Sequence, residues 1–237
     1  MTPTPVPEAG RTVSRLGFWA AISTAVLAAA FAIVAIATPA RSGPFCVTQC
    51  VAYPYVDVAQ FIPGDYLWLV PGLFLVPSVM VLLASIHASA PQPTKLFSRL
   101  GLSFALVYAV IVLLDYFVQL TVVVPSLQAG ETAGLSLLTQ YNPHGLFIAL
   151  EALGYTAPSL ALLCAAPVFA GSRAARALRW LFVGGFVLVV MAFVAFDVIG
   201  QDLVAFEVSA LSVNWIVLIV SGALLAVLFR HGPITTT

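Results

Sequence analysis

Six long apolar blocks, nearly free of charge, leave this chain few ways to fold. They run approximately Leu16–Thr38, Tyr66–His87, Leu100–Val124, Leu146–Ala170, Trp180–Gly200 and Ser212–Phe229. A helix rises about 1.5 Å per residue, so a block of about 20 apolar residues is what crossing a hydrocarbon core requires. A transmembrane β-barrel would instead show segments of about ten residues with alternating polarity, and no such alternation runs through these blocks.

Of the 237 residues only 8% are charged and 62% are hydrophobic, against about 25% charged in a soluble domain. Such a chain cannot clothe its surface for water. Its formal net charge is zero and its nine basic residues are scattered, which removes the electrostatic footprint a nucleic acid needs. The expected fold class is therefore all-α, an integral membrane bundle of six transmembrane helices. The expected division is a tail over 1–15, a single transmembrane domain over 16–229 and a second tail over 230–237.

Orientation follows from the basic residues. Arg11 and Arg15 precede the first block, Lys95 and Arg99 separate the second from the third, Arg173, Arg176 and Arg179 separate the fourth from the fifth, and Arg230 follows the sixth. Those are alternate loops on one side. Only Arg41 falls on the other, so the positive-inside rule predicts both termini in the cytoplasm of a cell membrane. The first block has basic residues before it and small ones, Ala37 and Ala40, after it, as a secretory signal does. Its apolar run exceeds the 7–15 residues of a signal core, so it reads as a retained helix.

Three extracytoplasmic loops are expected, over 39–65, 125–145 and 201–211. The first carries Cys46 and Cys50, and its stretch Tyr55 to Ile62 has the spacing of a short interfacial helix. On a helical turn, residues four apart place their Cα atoms within reach of a disulfide, and an oxidising compartment would favour one. Free thiols remain the alternative. Two cysteines without nearby histidines make a poor zinc site, and no metal or cofactor is expected.

The residues that carry chemistry are the carboxylates inside the blocks: Asp115, Glu151 and Asp197. A charge near mid-bilayer costs at least about 2.5 kcal/mol on insertion scales, so such a group usually faces a protein interior or a watery cavity. Asp197, three residues from its block's outer end, has an interfacial reading. Asp115 and Glu151 lie at similar depth, roughly 8–14 Å below the outer surface at 1.5 Å per residue. At 100° per residue Tyr108, Asp115 and Gln119 share one face of the third helix, and His144, Glu151, Tyr155 and Pro158 one face of the fourth. Those faces should turn inward and frame an outward-opening polar pocket. The competing reading is that these groups only bond the helices together, at about 1 kcal/mol per pair.

Asn142-Pro143-His144-Gly145 reads as the start of the fourth helix, with Asn142 as N-cap and Pro143 in the first turn. His144, two turns from Glu151, could donate to it. Pro71 and Pro77 interrupt the second block, Pro158 and Pro167 the fourth, and Gly184-Gly185 lies in the fifth, all sites where helices bend. Asp115-Tyr-Phe-Val-Gln119 recurs as Asp197-Val-Ile-Gly-Gln201, too short a match to establish a repeat. No P-loop, HExxH or GxSxG motif is present.

The stretches Asp115-Tyr-Phe-Val-Gln119 and Gln140-Tyr-Asn-Pro-His-Gly-Leu-Phe-Ile-Ala-Leu-Glu151 resemble segments of uncharacterised bacterial multi-pass membrane proteins. The resemblance spans the third and fourth helices and the loop between them. It implies a bacterial inner-membrane location and no particular activity.

Two functional classes fit these residues, beside a structural or accessory role. In the first, the pocket binds or transports a small molecule or lipid, with Asp115, Gln119, Glu151, Tyr155, His144 and Tyr108 as its contacts. In the second, Asp115 and Glu151 act as acid and base of an intramembrane enzyme, since neighbouring carboxylates in low dielectric split their protonation. Membrane lipids are expected partners, and the small size of the bundle suits a homo-oligomer.

Overall fold

A computed structural model describes residues 8–230 and 232. Among the described residues the chain is all-helical, without strands, and six helices are long and apolar enough to cross a membrane. They are α1 (Glu8–Ala37), α2 (Leu69–Ser89), α3 (Lys95–Val118), α4 (Leu146–Ala165), α5 (Arg173–Ala192) and α6 (Leu203–Arg230). α3 and α5 run on through π-helical turns, Gln119–Val123 and Phe193–Ile199, which add one residue per turn and rotate the residues beyond them about the helix axis. α3 then finishes in Val124–Ala129, where Gly130 at φ 74° closes it in the left-handed conformation.

α1 packs between α2 and α6, α2 packs against α3, α3 along α4, and α5 closes against α4 and α6. Small residues set the tight crossings. A Cβ on Gly222 of α6 would stand 2.7 Å from the Ala21 carbonyl oxygen of α1, and one on Gly101 of α3 2.7 Å from the Ala161 carbonyl oxygen of α4. In lipid there is no hydrophobic drive between helices, so such close backbone approach is what gives them van der Waals contact. The outward surface stays apolar: Trp19, Ile33, Phe74, Phe117, Trp180 and Met191 are all exposed.

Several expected boundaries shift. The loop expected over 201–211 shrinks to a short turn, because Asp202 accepts the Ala205 amide at 2.9 Å through its side chain and starts α6 at Leu203. That moves Glu207 from an aqueous loop into a helix. Asn142 is not the N-cap of α4, which is Gly145. Its Oδ1 instead accepts the His144 amide at 3.0 Å and its Nδ2 donates to the Ser136 carbonyl at 2.6 Å, folding the loop on itself. Tyr55 to Ile62 holds only the single 3-10 turn Ala59–Phe61, not an interfacial helix. Pro71 sits in the first turn of α2, where a missing amide costs nothing, and Pro167 lies in the 3-10 turn that ends α4, so of these four prolines Pro77 and Pro158 are the ones inside a helix.

The segments before α2 and between α3 and α4 come together as a cap over one end of the bundle. Arg41 is its hub. Its Nε bonds the Asp65 carboxylate at 3.0 Å, its Nη1 the Gln49 side chain at 2.7 Å, and its guanidinium lies 3.9 Å over the Phe61 ring. Asp65 also accepts from the Tyr141 hydroxyl at 3.1 Å, while Gln140 donates to the Asp65 carbonyl at 3.1 Å. Burial, then the neighbouring Tyr66 and the Asp65 carboxylate, push the Tyr141 phenol up, so it stays a proton donor to Asp65. Cys46 and Cys50 are joined by a disulfide with Cα atoms 5.9 Å apart, in an irregular segment and not on the helical turn expected for them.

Candidate ligand site

Under this cap lies a cavity of about 560 Å3, of the size that small-molecule sites occupy. Its walls come from the cap ends of α1 and α6, the start of α4, and the residues leading into α2. Phe31, Trp68 and Trp215 form an aromatic side: Phe31 stacks on Trp68 with ring centres 5.7 Å apart and meets Trp215 edge to face at 5.3 Å. Arg41, Asp65, Gln140 and Tyr141 line it from the cap, with Asp65 paired to Arg41, and Glu151 of α4 and Glu207 of α6 are the buried acids it meets below.

The cavity opens sideways. Two residues that line it, Ile36 on α1 and Ile216 on α6, are 77% and 61% exposed on the apolar outer surface. α1 and α6 touch closely at Ala21 and Gly222, further from the cap.

Glu151 and Glu207 are each 5% exposed and lie within Coulombic reach of one another. Glu151 projects from α4 toward the cavity and accepts the Tyr155 hydroxyl, one helical turn along. The Tyr116 hydroxyl of α3 meets that of Tyr155 at 2.5 Å, so a chain of hydroxyls runs from Glu151 into the α3–α4 seam. Asn214 ties α6 to α4 beside it: its amide donates to the Tyr155 carbonyl at 2.8 Å, and Ser159 donates to its Oδ1 at 3.1 Å. This bond set fixes the height of Glu207 on α6 relative to Glu151 on α4.

The residues picked from the sequence separate into three groups. Glu151 lines the cavity. Asp115, Tyr108, Gln119 and Tyr155 are buried, 3%, 4%, 1% and 3% exposed, but do not line it; they lie behind Glu151 between α3 and α4. Asp115 remains in Coulombic reach of Glu151, and one of its oxygens, Oδ2, has no hydrogen-bond partner. Gln119, at the π-helical turn, donates to the Leu138 carbonyl at 2.6 Å and so pins the cap loop to α3. His144 is exposed and does not line the cavity, because α4 begins after it and not at it. Asp197 is half-buried with Gln201 exposed, whereas Asp115 and Gln119 are buried, so the two matching pentapeptides occupy unlike environments.

Glu207, Trp215, Asp65 and Arg41 escaped the sequence reading. Glu207 was legible in principle: Asp202 is a good N-cap, and the apolar residues Leu203, Phe206, Ala210 and Leu211 continue the sixth block backward at helical spacing. Nothing local marks Arg41 and Asp65, 24 residues apart, as partners. Among the described residues, no group of three or more His, Cys, Asp or Glu could hold a metal ion.

The six apolar helices fit the class of multi-pass membrane proteins. No family model matches the chain, and neither a curated protein nor a solved structure does.

Proposed function

We propose that this protein is a cell-membrane protein with both termini cytoplasmic, and that its cavity binds or transports an amphiphile drawn from the outer leaflet. The observation that carries this reading is the cavity's size and lining: about 560 Å3, with exposed residues of α1 and α6 at its edge, mostly apolar walls and two buried acids, Glu151 and Glu207. An apolar chain entering between Ile36 and Ile216 would leave water or lipid for an aromatic surface, while its polar end would reach Glu151 and Glu207. The distribution of basic residues supports an outside position for the cap, which would turn the side opening toward the outer leaflet.

Native mass spectrometry of protein purified in a mild non-ionic detergent tests this. The wild type should carry a bound amphiphile, and Ala35→Trp, which fills the cavity from α1, should carry none at an unchanged melting temperature. Equal occupancy in both proteins would overturn the reading.

A further inference from the structure

Resting on that reading, we propose that the cavity selects amphiphiles bearing an ammonium group, with Glu151 and Glu207 as its counter-charges. Glu207 lines the cavity, is 5% exposed, and among the described residues has no hydrogen-bond donor on its carboxylate. Glu151 has Tyr155 on one oxygen. Two buried acids within Coulombic reach of one another can both ionise only beside a cation, and a positive group among them supplies that partner.

Among the described residues no base serves that role. The basic residue lining the cavity, Arg41, is already matched by Asp65, Gln49 and the Phe61 ring. An anionic head would have to approach both carboxylates unaided. Among the described residues no group of three or more His, Cys, Asp or Glu could hold a metal ion, so a bare divalent ion, which takes six or more oxygens, is poorly matched.

Independently of the acids, the aromatic side points to a ligand. Phe31, Trp68 and Trp215 line the cavity with aromatic surface, and ammonium groups are attracted to an aromatic ring wherever one of its faces is open. Trp215, 8% exposed and lining the cavity, has an indole N–H without an acceptor. A ligand with an oxygen near its ammonium group would satisfy both features. The chemistry is shared by an ammonium-headed lipid and by a free amphiphilic amine.

Titration calorimetry in a non-ionic detergent at neutral pH compares dodecylamine, dodecanol and dodecanoate, which share a chain and differ in charge. Dodecylamine should bind at least tenfold more tightly than dodecanol, and dodecanoate more weakly than either. Glu207→Gln should lower dodecylamine affinity at least tenfold and dodecanol affinity by much less, so that the preference for the amine collapses. The ranking in the wild type stands without the variant, should the variant fail to fold. Dodecanol binding with no preference for dodecylamine would overturn the ammonium assignment and leave the amphiphile reading intact; no binding of any of the three would overturn both. Repeating the dodecylamine titration in nanodiscs separates the sources. Competition by phosphatidylethanolamine but not phosphatidylglycerol supports the lipid form, and dodecylamine binding undiminished by either supports the free amine.

Discussion

At the level of single residues, the cap depends on one buried ion pair. The Arg41 and Asp65 side chains are 11% and 6% exposed, so removing either leaves the other's charge stranded away from water. Asp65→Asn and Arg41→Met should each lower stability by about 3 kcal/mol. The double substitution should cost less than the sum by at least about 1 kcal/mol, because the second change removes the charge that the first left unpaired. Thermal unfolding of the four proteins in one detergent measures this, and additive losses would show that the pair does not act as a unit. Since both residues line the cavity, loosening them should also loosen its roof.

At the level of helices, packing is set by where backbones can approach. Gly222 and Gly184 are both inside helices, but a Cβ at Gly222 meets the Ala21 carbonyl at 2.7 Å and one at Gly184 meets nothing within 4 Å. A carbonyl of α1 cannot move aside as a flexible side chain would. Gly222→Ala should therefore destabilise by about 1–3 kcal/mol, the cost of overpacking. Gly184→Ala should be neutral or gain up to about 1 kcal/mol from helix propensity. Melting temperatures of the two variants check the contrast, and similar values would mean that α1 and α6 do not meet at Gly222.

For the molecule as a whole, topology decides which leaflet the side opening faces. Reporters placed in the loop of Lys95 and in the loop of Arg173 should read cytoplasmic, and reporters near Cys46 and Glu131 exterior, because eight of the nine basic residues fall on one side. A cytoplasmic reading at Glu131 would invert the assignment and turn the cavity toward the inner leaflet. The disulfide belongs to the same expectation: thiol labelling in native membranes should modify neither Cys46 nor Cys50 until reductant is added.

By itself the sequence determined the number of spans and their rough extent, since apolar length is a one-dimensional property that hydrocarbon thickness reads directly. It also singled out Glu151, because an acid in an apolar run is visible without knowing what it touches. Only the tertiary structure decided what Glu151 faces. A polar stripe states that a face is buried, not which helix buries it: the stripe of Tyr108, Asp115 and Gln119 packs into the α3–α4 seam, while the cavity opens on the other side, against α1 and α6. Glu207 became a buried helical acid once Asp202 capped α6 early, and Arg41 met Asp65 only when the cap folded over the bundle. Contacts between residues distant in the chain depend on how helices cross, and those crossings rest on close approaches such as Gly222 to Ala21, which local hydropathy does not encode.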